Sequence, residues 1–335
     1  FTDKTAVTES ESYVLFVDAL RFELAKEFEE CLIKFGYKTN LTSTWSAIPT
    51  VTATAKPDVS PLATEVSGES KFVEFRPQLC NGKDLQSASF KESLESLEFT
   101  VIKSGDTIDV EKKYWQEIGD IDKKGHDEQS GIVKRIEELF DYVREIIDSA
   151  FEKGVKRIKV VTDHGWLLLP GGLPKTQLHE GLTETRWGRC TLIKEGVKSE
   201  LLQLPWRWNP SVFIAYAQGI SFFKANEEYA HGGISVQECL LPVLIIENTI
   251  ESGLAPKIIN SKWVGLKCAV ETENSGKDFT IDIRTKFNDE TTSIVISKNK
   301  AVIEDKGSLM VSDDAESQSA TIVLLDDKGR IRDKK

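Results

Sequence analysis

Tyr13-Val14-Leu15-Phe16-Val17-Asp18-Ala19-Leu20-Arg21 sets a short apolar, β-prone run against a carboxylate, and a helical pattern starts just beyond it. In that pattern Leu24, Phe28, Cys31, Leu32 and Phe35 share one face before Gly36, so the segment reads strand, loop, helix. The same grammar returns further along. Ile132, Ile136, Leu139, Phe140, Val143, Ile146 and Ile147 keep helical spacing up to Gly154, and Ile158-Lys159-Val160-Val161 then reads as a strand ending at Asp163-His164-Gly165. Val243-Leu244-Ile245-Ile246 predicts a third buried strand. Strands nearly continuous in apolar residues, alternating with long amphipathic helices, predict an α/β fold over residues 1–248: a mostly parallel sheet with helices on both faces.

Beyond it the texture changes. Phe279–Ile283, Ser293–Ile296 and Ala320–Leu324 are short alternating segments separated by Gly, Asn, Asp and Ser, and residues 249–335 are expected to form a small antiparallel β-sandwich. A chain of 335 residues exceeds the prior of roughly 100–200 per domain, which agrees with one large and one smaller domain. With 40% hydrophobic and 29% charged residues the composition is that of a globular chain, not a disordered or fibrous one. No apolar run approaches the ~18 residues of a membrane span, so no membrane partner is expected. The net charge of −11 repels phosphodiester backbones at long range, which argues against strong duplex-DNA binding by this chain alone. It says little about the inside of a cleft, where bound cations can hold a phosphate. Five cysteines, odd in number and with no C-x-x-C spacing, suggest neither disulfides nor a thiolate zinc site and fit a cytoplasmic location. Phe1 at the start and Met310 as the single methionine lead us to expect part of a longer polypeptide.

Open α/β sheets place ligands at the carboxyl ends of their strands, so Asp18 and Asp163-His164 are expected to face one crevice if their strands are neighbours. The plain alternative for Asp18 is a helix cap. Adjacent Asp163 and His164 make a chelating corner, with Gly165 allowing close backbone approach. Asp122 and His126 are four apart, a spacing that brings both to one ion on a helical turn, though it also arises by chance. His231, followed by Gly232-Gly233, predicts an exposed imidazole on a tight turn, and His179 is assigned to a loop. The hydroxyl-rich stretch Pro49-Thr50-Val51-Thr52-Ala53-Thr54 leads into a predicted helix, either as ordinary caps or as a loop that presents a nucleophile activated by a cation.

Taken together, Val17-Asp18-Ala-Leu-Arg21, Pro49-Thr50-Val51-Thr52, Asp122-x-x-x-His126, Asp163-His164-Gly165 and His231-Gly232-Gly233-Ile-Ser-x-x-Glu238 resemble, in order, the motifs of the alkaline phosphatase superfamily. The His-Gly-Gly segment with its downstream Glu238 and Leu-Pro-Val looks like the PglZ-domain family. The resemblance spans Asp18 to Pro242. It implies two divalent metal ions, zinc or else manganese, with Asp18, Thr52, Asp163 and His164 around one and Asp122, His126 and His231 around the other. It also implies that Thr52 is the nucleophile, with Thr50 and Thr54 close enough in the loop to be alternatives. Lys56-Pro57 departs from the Pro-Asn-His continuation of the nucleotide pyrophosphatases, so their asparagine donor is not carried over.

The mechanism implied is attack by Thr52 on phosphorus, then release of a phosphothreonine by water with net retention, the two cations clamping both ends of an in-line displacement. Basic candidates for substrate binding are Lys175 and Arg186, with Arg189 and Arg21 beside them; for each the alternative is a salt bridge. Trp206 and Trp208 stack a nucleobase or, more simply, pack. The reaction expected is hydrolysis of a phosphodiester, on nucleotides or short oligonucleotides. The resemblance to PglZ proteins further implies a bacterial phage-defence system of the BREX type, with other proteins of a defence complex as partners. An alternative of another class is a scaffold that keeps the metal pocket and docks through its β-sandwich.

Overall fold

In the computed structural model, which describes residues 7, 12–68, 74–177, 183–193, 199–224, 227–248, 256–275, 278–298 and 300–335, and of 183–186 the backbone only, the opening run is strand β1 (Tyr13–Val17), buried along its whole length. A strand with no exposed residue needs cover on both faces, and it has it. On one face Val14 and Phe16 join Trp115, Val161 and Val243 in a core completed by Val59, Phe90 and Leu94 from helices. The residues between them, Leu15 and Val17, are equally buried.

Around β1 lie β2 (Lys38–Trp45), β3 (Phe99–Ile102), β4 (Lys113–Ile118), β5 (Arg157–Val161) and β6 (Leu240–Glu247) in one sheet of order β2-β6-β5-β1-β4-β3. The pairings β5–β1, β1–β4 and β4–β3 are parallel, with Phe16 opposite both Val161 and Glu117. Helices α1 (Phe22–Lys34), α2 (Thr52–Val59), α3 (Ser87–Ser96), α4 (Asp120–Glu128) and α5 (Ile136–Glu152) fill the intervals. The buried stripe of α5 runs from Leu139 and Phe140 through Val143, Ile146 and Ile147 to Phe151, the periodicity that its sequence carries. Phe140 meets Phe28 of α1 at 5.1 Å between ring centroids. A four-stranded antiparallel sheet, Leu202–Trp206, Asn209–Tyr216, Cys190–Ile193 and Thr183–Arg186 in that order, is inserted between β5 and β6.

The chain divides into two compact units, residues 1–28 with 40–246 and residues 29–39 with 247–335. In the second, strands Lys257–Val264, Lys267–Glu273 and Lys306–Met310 form one antiparallel sheet, and Thr280–Arg284, Thr321–Leu325 and Ile331–Lys334 form another. Cys268, Val270 and Leu309 from the first share a core with Ile281, Ile283, Ile322 and Leu324 from the second, a β-sandwich. Ser293–Ile296, expected as a strand, makes only isolated bridges, Ser293 to Arg284 and Val295 to Val311. No two of the five cysteines form a disulfide. No helix among the described residues is long and apolar enough to cross a membrane.

Candidate metal centre

Three adjacent parallel strands, β5, β1 and β4, each deliver a carboxylate just past their carboxyl ends: Asp163, Asp18 and, through the start of α4, Asp122. The turn after β1 is fastened on both sides. Asp18 N–H donates to Ile118 O at 2.8 Å, Leu20 N–H donates to Thr162 Oγ1 at 3.0 Å, and Trp166 Nε1–H donates to Ala19 O at 3.0 Å. Ala19 takes a left-handed conformation at φ 62, which costs about 1 kcal/mol at a non-glycine residue and turns the chain sharply behind Asp18.

Asp163 and His164 are completely buried. Asp163 Oδ1 accepts His164 N–H at 3.0 Å, and its other oxygen, Oδ2, has no hydrogen-bond partner; neither has Asp18 Oδ1. His164 Nδ1 lies 3.1 Å from Gly165 O, which leaves Nε2 facing Asp18 Oδ1 and Asp163 Oδ2, each at 3.6 Å, and Thr52 Oγ1 at 3.2 Å. On α4, Asp122 and His126 stand on one face. Asp122 Oδ1 is 3.6 Å from His126 Nε2 and 3.5 Å from His231 Nε2, and those two nitrogens are 3.0 Å apart. The ligand atoms of Asp122, His126 and His231 lie within 4.8 Å of one another, and so do those of Asp18, Asp122 and His164, so Asp122 joins the two groups. The His164 and His231 rings stack at 4.0 Å.

The charges are arranged for a cation. Burial first, then the Asp163 and Asp122 carboxylates, push the Asp18 carboxyl well above its usual range, while Lys56 works against the shift. For Asp122 burial acts upward, but His231, His164 and His126 together hold it below the ordinary value. His231 is pushed down to about 4 by burial and by His164 next to it, so its imidazole is neutral at pH 7 and offers a lone pair. Unpartnered buried carboxylate oxygens beside imidazole nitrogens fit a divalent cation.

Supporting contacts separate the three threonines. Thr50 Oγ1 donates to Gly233 O at 2.8 Å and accepts from Gly232 N–H at 3.1 Å. Thr54 Oγ1 donates to Phe75 O at 2.6 Å and accepts from Trp206 Nε1–H at 3.0 Å. Thr52, at the first turn of α2, has its hydroxyl against His164. His231 does not form the exposed imidazole that its two following glycines suggested: its side chain is 7% exposed, with Nδ1 3.0 Å from Thr50 O. The glycines serve a different end. A Cβ at Gly233 would lie 2.6 Å from Glu238 Oε2 and 2.7 Å from Arg189 Nη2. Glu238 meets Arg189 through both oxygens at 3.1 and 2.9 Å, and also accepts Gly233 N–H at 2.8 Å and Ser235 N–H at 3.1 Å. This buried pair is the salt-bridge alternative for Arg189, and it sets the loop that carries His231.

Trp206 is buried and Trp208 Nε1–H donates to Thr54 O at 2.9 Å, so both pack behind α2 instead of stacking a base. Arg21 lies over the Trp166 ring at 4.6 Å and pairs with Glu23. Lys175 is exposed, and no described contact brings it to the cluster. The Arg186 side chain and His179 lie outside the described residues. Tyr229 was not singled out from sequence, yet its hydroxyl donates to Asp122 Oδ1 at 2.9 Å and its ring fills the space beside Gly125. The Tyr229-Ala-His231 spacing, which puts two side chains of an extended segment on one side, is the signal that could have found it.

No family model matches the chain, and no curated protein does. Among solved structures it is similar to murine ectonucleotide pyrophosphatase/phosphodiesterase 5, at 9% identity over 71% of this chain and 88% of that one, with a TM-score of 0.47. The human counterpart aligns at 10% identity over 71% and 88%, with a TM-score of 0.46. Phosphonoacetate hydrolase from Sinorhizobium meliloti aligns at 10% identity over 70% and 89%, with a TM-score of 0.43.

Proposed function

We propose that the chain is a metal-dependent phosphohydrolase of the alkaline phosphatase superfamily, acting on phosphodiesters of nucleotides or short oligonucleotides, with Thr52 as nucleophile. The observation that carries the reading is the Thr52 hydroxyl 3.2 Å from His164 Nε2, at the edge of a cluster whose carboxylate oxygens on Asp18 and Asp163 are buried without partners. Asp18, Thr52, Asp163 and His164 would hold one cation and Asp122, His126 and His231 the other. When bound, the pair supplies the positive charge that acidifies a threonine hydroxyl and neutralises phosphoryl oxygens.

The protein's own part is position. Thr50, fastened to Gly232 and Gly233, and Thr54, fastened to Phe75 and Trp206, fix the backbone on both sides of Thr52, so its oxygen is held toward the cluster. Thr52 Oγ1 forms the bond to phosphorus as the ester oxygen opposite leaves. Water then displaces the threonine in a second in-line step, and configuration at phosphorus is retained. The His231-Gly232-Gly233 segment with its downstream Glu238 and Leu-Pro-Val, which resembles PglZ proteins, supports a place in a bacterial phage-defence assembly, and five cysteines, odd in number and without C-x-x-C spacing, support a reducing compartment such as the cytoplasm.

Elemental analysis of the purified protein tests the metal centre. About two zinc or manganese ions per chain, reduced in an Asp163→Ala, His164→Ala double variant, are expected. Hydrolysis of bis-p-nitrophenyl phosphate by the loaded wild type, lost in Thr52→Ala, tests the chemistry. A wild type that binds metal and is as inert as the variant sinks the enzyme reading in favour of a metal-retaining scaffold.

A further inference from the structure

We propose that Lys56 is the protein's own cation for a substrate phosphoryl oxygen, held ready by Glu117; this rests on the site described above. Lys56 follows Thr52 by four residues in α2, so the two share a face. Helical side chains lean toward the amino end, the direction in which Thr52 lies from Lys56. Its ammonium is fixed from two further directions. Nζ is 2.6 Å from Glu117 Oε1 at the end of β4, and it lies over the rings of Phe16 at the end of β1 and Phe90 of α3, at 5.0 and 4.8 Å from their centroids.

Phe16 and Glu117 are opposite one another in register, one step before Val17 and Ile118, and Ile118 O accepts the Asp18 N–H. The ammonium therefore stands between the start of α2 and the carboxyl ends of β1 and β4, in the crevice that Thr52 and Asp18 also occupy. Its field reaches Asp18, where it opposes the effect of burial.

The bland reading is a salt bridge that covers an aromatic cluster. Two features point further. The Lys56 side chain is only 19% exposed, yet its partner carboxylate is 38% exposed and also accepts Trp115 Nε1–H at 2.7 Å, so Glu117 is placed without the lysine. An ammonium has three donors in fixed tetrahedral directions, and Glu117 Oε1 takes one. The rest of the cluster offers an incoming phosphate only carboxylates and imidazoles, groups already assigned to the cations, so a partly desolvated ammonium at its rim supplies further complementary charge for an oxyanion.

The test measures binding of inorganic phosphate to the zinc-saturated protein by calorimetry, with zinc content and melting temperature taken on each sample. Lys56→Met keeps the stem against Phe16 and Phe90 and removes the charge; Lys56→Arg keeps the charge. We expect phosphate affinity to fall about tenfold in the Met variant and to be largely retained in the Arg variant, with zinc content unchanged in both. Equal phosphate affinity in Lys56→Met and wild type overturns the proposal, as does a wild type that binds no phosphate. Loss of zinc together with phosphate in a folded Lys56→Met protein also overturns it, since the lysine would then act on the cation site. Diester hydrolysis is read separately: lysine-dependent phosphate binding in a protein that cleaves no diester removes the catalytic reading and leaves the anion site standing.

Discussion

Thr50, Thr52 and Thr54 carry the same hydroxyl into three environments, and substitution should separate them. Thr50→Ala and Thr54→Ala each strip two hydrogen bonds from buried groups, at a cost of about 1–3 kcal/mol, and lower the denaturation midpoint. Thr52→Ala should leave that midpoint within about 0.5 kcal/mol of wild type while abolishing turnover, a split that equilibrium urea melts and a diester assay resolve together. His231 gives a pH signature. Its folded value of about 4 lies below the ordinary 6.5, so between the two the unfolded chain binds more protons, and its contribution to stability, full above 6.5, is lost as pH falls toward 4. The stability difference between metal-free wild type and His231→Gln should therefore shrink across that window in denaturant titrations; a constant difference would contradict the burial of a neutral imidazole. At this scale the sequence was readable where a residue's place follows from a local pattern, as for Asp18 and Asp163-His164 at strand ends. Tyr229 and Lys56 were not readable as site residues, and Arg189 and Glu238, each singled out, were not readable as a pair, because each acts through a partner tens to hundreds of positions away.

Elements were legible to the degree that burial left an apolar imprint. β1, β5 and β6 are rich in Val, Ile, Leu and Phe and announce themselves; β2, Lys-Thr-Asn-Leu-Thr-Ser-Thr-Trp, is an edge strand with five of its eight residues exposed and carries no such run. β4 hides for another reason. It buries Gln116, whose side-chain oxygen accepts the Tyr13 hydroxyl, so a polar residue interrupts the pattern of a central strand. Two elements are predicted to control the metal centre from outside it. A methyl group at Gly125 would lie 2.3 Å from the Tyr229 ring, so Gly125→Ala should push α4 away and lower the content of the cation proposed at Asp122 and His126, read as lost stoichiometry in elemental analysis. Glu238→Gln leaves the buried Arg189 charge uncompensated and should cost about 3 kcal/mol in denaturant melts. It should also weaken zinc retention, because the loop bearing His231 loses its anchor.

The whole molecule carries 54 acidic against 43 basic side chains, and its net charge of −11 governs what approaches from a distance. A random duplex should show no retardation by this chain at roughly 0.15 M salt, checked by gel shift; binding there would mean a basic surface that the overall charge conceals. The cluster itself is a product of the complete parallel sheet. Its parts are far apart along the chain: the contact between Thr50 and His231 spans 181 residues, and that between Thr52 and His164 spans 112. At a synthesis rate of roughly 5–20 residues per second, His231 leaves the ribosome about 10–35 s after Thr50. Throughout that interval the nascent chain displays Asp18, and soon Asp122 and His126, without the histidine that the folded cluster sets beside them. On the proposed ligand assignment the set is complete only once His231 has emerged, so selection of one cation over another would be made then and not earlier.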